Sequence, residues 1–283
     1  MSDNALAWRK NAFLSTLRSD RWWIEPLAVL AGLGAFIVYA TWAAYQGNHY
    51  FYDAGIVGFG GYLSPFYSPV IFTDLSAPGS APVYHALHGA WPSWWPGWLP
   101  ASPAFLILIF PLSFRFTCYY YRGAYYKAFG GTPPACGVGS VPRKARKYKG
   151  ETFLFVFQNL HRYALYAALV FIPILYADAI ASLFRGGEFG IGVGSIILFI
   201  NPTLLAFYTL GCHSWRHLIG GRKDCFSCAG TGKLKYRAYQ KVSWLNHHHK
   251  VFAWLSLVFV GVTDLYVRLV SMGIITDLNT WVS

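Results

Sequence analysis

Charged side chains are scarce in this sequence. They make up 12% of its 283 residues, against about a quarter in an ordinary soluble domain. With 55% hydrophobic residues and several long apolar runs, the shortage argues against a soluble globular domain and for a helical membrane protein. The first 23 residues lack the apolar stretch of a cleavable signal peptide; they are polar, basic and tryptophan-bearing. No P-loop, no GxGxxG fingerprint and no Ser/His/Asp order of a hydrolase is present. The chain therefore has nothing with which to bind FAD or a nucleotide, and is not a complete dehydrogenase alone. Lys and Arg are absent altogether from residues 47–102.

What is present can be taken in chain order. Trp8, Phe13, Leu14 and Leu17 among Arg9, Lys10, Arg18 and Arg21 predict an amphipathic helix over about 5–23 lying on the membrane surface; a disordered basic tail is the alternative. Five transmembrane helices follow, at about 25–46, 102–121, 153–184, 189–211 and 251–275, in an all-α integral membrane protein forming a single domain. Pro202 is expected to kink the fourth. The connection 47–102, with Trp91, Trp94, Trp95 and Trp98, reads as an outer loop in the interfacial aromatic belt. Twenty of the 23 Lys and Arg fall in three segments, before residue 22, from Arg115 to Lys149 and from Arg216 to Lys250. By the positive-inside rule these segments and the amino terminus are cytoplasmic. The net charge of +12 is then topological, and no nucleic-acid partner is expected. The chain is placed in the cell inner (plasma) membrane.

On this topology all five cysteines and six of the nine histidines lie in the cytoplasmic half or its loops. Thiols in a reducing compartment are poor candidates for structural disulfides. Thiolates and imidazoles gathered at one end of a bundle suggest a metal or iron–sulfur site, with the cofactor corner at the cytoplasmic side. The densest group is Cys212, His213 and His217, the two histidines sharing one helix face. Cys118 alone on an apolar helix can equally be a small buried hydrophobe. His161 can be an interfacial side chain, and His247, His248 and His249 cannot all face inward. Cys225 and Cys228 have knuckle spacing, but no second CxxC completes a zinc site. Spans one and two carry no histidine, which disfavours two stacked haems; one haem b, for instance on His161 and His217, stays open. Among ionisable residues in spans, Arg115 and Arg162 sit near the inner face. Asp178 lies toward the outer end of span three, and Asp264 and Arg268, four apart, should neutralise each other. A non-redox scaffold or transporter with a zinc site is the reading from another class; the lack of a polar pathway or inverted repeat argues against it.

Gln158-Asn159-Leu160-His161-Arg162-Tyr163, and Cys212-His213-Ser214-Trp215-Arg216-His217 with Gly220-Gly221, carry a family likeness. The chain resembles the membrane anchor (cytochrome b-like) subunit of actinobacterial, mycobacterial-type succinate dehydrogenase, respiratory complex II. The likeness runs from Trp22-Trp23-Ile24-Glu25-Pro26 to Asp264-Leu265-Tyr266-Val267-Arg268. It implies a flavoprotein partner carrying FAD, which oxidises succinate, and an iron–sulfur partner with further clusters, both on the cytoplasmic face. It also implies a Rieske-type [2Fe-2S] cluster passing electrons to a lipid quinone, menaquinone or ubiquinone, and leaves room for an oligomer of heterotrimers. The soluble Rieske spacing, CxH then CxxH, is absent. The family's recurring positions match Cys136, Cys212, His161 and His217, with Cys118, His213 and His249 in reserve and Cys225 and Cys228 below them. Trp215, Arg216, Tyr119 and Arg122 are the expected quinone-pocket residues.

Overall fold

The computed structural model describes residues 20–53, 60–130, 154–221, 225 and 232–281. The surface helix expected at 5–23 therefore lies almost wholly outside the described residues. Among the described residues, four helices are long and apolar enough to cross a membrane: Ile24–Gln46, Asn159–Ala181, Val193–Leu210 and His249–Ser271.

In chain order, α1 is Ile24–Gln46, followed by a two-stranded hairpin, β1 Phe51–Tyr52 and β2 Tyr62–Leu63, with Phe51 opposite Leu63. Pro26 sits in the first turn of α1, where a missing N–H is harmless, and Glu25 beside it suits the positive end of the helix. Gly47 (φ 61°) ends α1 in the left-handed region. Next come α2 Ala104–Ile107, α3 Ile109–Thr117 and α4 Tyr119–Ala128. After them α5 is Leu154–Ala181, and a second hairpin joins β3 Phe184–Arg185 to β4 Glu188–Phe189. The chain closes with α6 Val193–Leu210, α7 His213–Gly220, α8 Gly232–His247 and α9 His249–Ser271.

The span expected at 102–121 is corrected to these three shorter helices. Pro111 has no N–H for the carbonyl of Ile107, which loosens the helix around Leu108. At Cys118 the backbone turns extended (φ −61°, ψ 129°) and restarts as α4. Likewise 184–189, expected as the ends of two spans, forms the β3–β4 hairpin.

By internal contacts the chain divides into two units, Met1–Val38 with Arg115–His161, and Tyr39–Phe114 with Arg162–Ser283. In the second unit α6 packs along α9, and Tyr62, Ala179, Leu198 and Val267 form a buried cluster. The expected outer loop is a folded cap with its own core. Tyr50, Phe51, Phe66, Tyr67 and Val70 are buried, and Tyr50 stacks on Tyr67 at 4.3 Å. Gly194 lets α6 approach the cap, because a Cβ there would run into the Tyr62 ring.

Two buried ion pairs tie this unit together. Arg268 donates to Asp264 at 2.8 Å, both essentially inaccessible, as the spacing predicts. Its remaining N–H groups reach the carbonyls of Asn48 (2.9 Å) and Ala43 (3.0 Å) and the Tyr67 hydroxyl (3.2 Å). Tyr39 donates to the same Asp264 carboxylate at 2.6 Å, and Ser64 donates to its other oxygen. Arg185 pairs with Asp277 at 3.2 Å, which also accepts from Tyr62 and Tyr266, each at 2.7 Å, and from the Gly194 amide at 3.0 Å. Burial first, and then the bond to Asp277, pushes the Tyr62 phenol above its ordinary value, so it stays a donor.

Removing one partner of such a pair strands the other charge. Arg268→Met should destabilise the protein by about 3–5 kcal/mol, and a D264N/R268M double variant by less than the sum of its single variants. Unfolding by steric trapping in detergent measures both. A loss no larger than that of the lipid-facing Val38→Ala would refute the buried-pair role.

Candidate functional site

The metal-capable side chains sort by burial. Cys118 (3% exposed), Cys212 (2%) and His161 (7%) are buried. His213, His217 and His247 are exposed. Cys136 and Cys228 lie outside the described residues. Cys225 is half-buried and disulfide-bonded, which departs from the expectation of reduced thiols throughout.

The two buried thiols occupy the same local setting. Cys118 is the N-cap of α4 (ψ 129°) and Cys212 the N-cap of α7 (ψ 142°), each just after another helix has ended. The Cys212 sulfur accepts the Ser214 amide at 3.4 Å, and the Cys118 carbonyl accepts the Arg122 amide at 2.9 Å. Helix amino termini favour negative charge, the form in which sulfur binds metal. The clue was present in the sequence: Thr117-Cys118 and Gly211-Cys212 both stand where an apolar run meets a polar, aromatic one. Composition alone does not show that the helix restarts there.

In the first unit, Thr117 Oγ1 lies 2.8 Å from His161 Nδ1, both residues buried. The neighbour of Cys118 thus fixes the His161 ring. Arg115 donates to the Tyr121 hydroxyl at 2.7 Å, while Arg162 is exposed. Tyr119 and Arg122 line a cavity of about 430 Å³ beside Glu25 of α1.

In the second unit, α7 and α8 pack as a helical hairpin. Arg216 donates to the Ser243 hydroxyl at 3.0 Å and to Tyr239 at 2.6 Å, with its guanidinium 4.9 Å from the Tyr239 ring centre. Arg216 thus pins the two helices together. Trp215 beside it is half-buried. Asn246 donates to the Gly211 carbonyl at 2.8 Å. His249 stacks on buried Tyr208, one turn before Cys212, with ring centres 4.9 Å apart. The turn carrying His249 is therefore clamped to the turn carrying Cys212.

Among the described residues, no three of His, Cys, Asp and Glu gather as a site for a single metal ion. A two-iron cluster with two protein ligands per iron does not demand such a group.

These features define a multi-pass helical membrane protein with buried thiols at helix breaks. Residues 24–273 match the family described as actinobacterial succinate dehydrogenase subunit SdhC. A solved structure, the Mycobacterium smegmatis Sdh1 complex in the apo form, contains a chain similar to this one. The two are 40% identical with a TM-score of 0.79, over 95% of this chain and 94% of that one. No curated protein matches. The chain belongs to the actinobacterial SdhC family; it is a membrane anchor subunit of succinate dehydrogenase.

If Arg216 pins the α7–α8 hairpin, Arg216→Gln should weaken it by about 1–3 kcal/mol. Hydrogen exchange would then rise in 213–220 and 232–247 and stay unchanged in α9. Unaltered exchange in both segments would remove the pin.

Proposed function

We propose that this subunit relays electrons from an iron–sulfur partner to a lipid quinone through a membrane-embedded Rieske-type [2Fe-2S] cluster. Succinate is oxidised on the flavoprotein partner, and this chain takes no part in that step. The observation that carries the reading is the pair of buried cysteines at helix amino termini, each accompanied by a positioned imidazole. Two thiols and two imidazoles are the donor set a Rieske centre takes.

Of the candidate ligands, Cys118, Cys212 and His161 are buried and His249 is half-buried. The set implied by family likeness, Cys136, Cys212, His161 and His217, is the proposed assignment; Cys118, His213 and His249 are its competitors. When bound, the cluster supplies a one-electron carrier whose potential the imidazoles raise toward that of quinones. Thr117 holds the His161 ring, the α7 amino terminus faces the Cys212 sulfur, and Tyr208 holds the plane of His249. The quinone ring belongs beside the cluster, with Trp215, Arg216, Tyr119 and Arg122 as its candidate contacts. Tyr119 and Arg122 line a cavity of their own.

We further propose five crossings with the amino terminus cytoplasmic. The cation-free stretch 47–102 and the eight cations of Arg115–Lys149 require a crossing between them, made by α2 and α3 despite their interruption.

Low-temperature EPR of the reduced complex, with iron analysis and an optical spectrum, tests the relay. A Rieske-like signal without haem absorbance is expected. Cys136→Ser and His217→Ala should abolish it, whereas Cys118→Ser and His249→Ala should leave it. The reverse pattern restores the competing ligands. A bis-histidine haem spectrum, or zinc without a redox signal, would sink the cluster reading.

A further inference from the structure

Residues 189–194 read Phe-Gly-Ile-Gly-Val-Gly, apolar residues alternating with glycines at the period of an extended chain. The structure separates the two kinds by side. Gly190, Gly192 and Gly194 are buried. A Cβ on the first would run into Trp281, on the second into Tyr62 and Asp277, and on the third into Tyr62. Phe189 (65% exposed), Ile191 and Val193 face the opposite way and are all exposed. The carboxyl-terminal segment runs antiparallel alongside, with Gly192 opposite Asn279. Leu278, one residue out of phase with Asn279, therefore shares the outward side and is 76% exposed. The backbone between the two segments is closed. The Val193 amide donates to the Leu278 carbonyl at 2.9 Å, the Thr280 amide to the Ile191 carbonyl at 3.0 Å, and the Ile191 amide to the Thr280 hydroxyl at 2.9 Å. On the other edge the Gly190 amide reaches the Leu183 carbonyl at 2.9 Å. Val193 also begins a second row. With Ile196, Ile200 and Phe207 it lies on one exposed face of α6, at i, i+3, i+7 and i+14. No Asp, Glu, Lys, Arg or His occurs from 189 to 210.

We propose that Phe189, Ile191, Val193 and Leu278 are immersed in the acyl chains of the cap-side leaflet, so that this extended ribbon completes the crossing made by α6. The 18 residues of α6 span about 27 Å, a little less than the hydrocarbon core of about 30 Å. Non-helical backbone survives at that depth only where its polar groups are met. Here the carboxyl-terminal segment meets them, and the glycine side lets the ribbon press onto Tyr62 and Trp281. The outward row continues the lipid face of α6 through Val193 without a charge. It is made of large apolar side chains, whereas contacts between protein segments in a membrane favour small or polar ones; acyl chains are therefore its cover, and a second copy of the chain is not. The ribbon ends at exposed Glu188, whose carbonyl accepts the Trp281 indole N–H at 3.1 Å, an arrangement suited to headgroup depth. The assignment rests on α6 as a span and not on the cluster reading.

The test is photo-crosslinking in the intact succinate dehydrogenase complex containing this chain, held in phosphatidylcholine nanodiscs. Benzoylphenylalanine is placed at Phe189, at Leu278 and, as a reference on α1, at exposed Val38. All three side chains point outward, so the substitutions disturb no packing. Mass spectrometry of the irradiated subunit should show phosphatidylcholine adducts at Phe189 and Leu278 in yields comparable with Val38, with fragmentation placing the new bond on an acyl chain. Absence of a lipid adduct at either position while Val38 gives one would show a ribbon standing in water and overturn the assignment. So would adducts confined to the headgroup, or a crosslink to a second copy or another subunit in place of lipid. The readout involves no redox signal, so a failure of the cluster reading leaves this result untouched.

Discussion

The Asp264–Arg268 pair is the constraint around which the larger unit is built. A charged side chain inside a membrane span is costly unless its hydrogen-bonding capacity is met. Here one carboxylate accepts from Arg268, Tyr39 and Ser64, and one guanidinium also reaches Ala43, Asn48 and Tyr67. These partners belong to α1, the cap and α9, so satisfying one ion pair fixes the end of the first helix, the cap and the last helix together. The Arg185–Asp277 pair repeats the device nearer the carboxyl end, joining the first hairpin to the start of α6 through Tyr62 and the Gly194 amide. Burial of apolar surface drives little inside lipid, whereas polar groups with only one way of being satisfied specify geometry. The cap needs such specification because its strands are only two residues long.

The candidate site follows a different logic. Its cysteines lie at breaks, where one helix has ended and another begins, and its histidines are held by neighbours: Thr117 for His161, Tyr208 for His249. A break in a helix buried in protein exposes amide groups that a regular span would keep to itself. Placing sulfur at those amides uses backbone polarity in place of charged side chains.

Much of this was legible in the sequence. Apolar length gave α1, α6 and α9 to within a few residues, and the four-residue spacing foretold the Asp264–Arg268 pair. The interrupted second span was not legible, because hydropathy averages over Pro111 and Cys118 and registers only that the region is apolar. The cap was read as a loop because its core is made of tyrosines and serines, which composition assigns to interfaces. At the site, the local density of Cys212, His213 and His217 drew attention to two histidines that turn out to be exposed. The ring that stacks on Tyr208, one turn before Cys212, is that of His249, 37 positions from the cysteine.

The order in which the chain is made gives the ion pair a second significance. Ala43 and Asn48 are synthesised 225 and 220 residues before Arg268. Until α9 arrives, those carbonyls and the Tyr39, Ser64 and Tyr67 hydroxyls wait without their final partner, and the bundle stays open on one side. The last helix therefore works as a clasp. During biogenesis the cap can be locked only after the final span has entered the bilayer, so a chain truncated before Asp264 would insert its earlier helices yet never close.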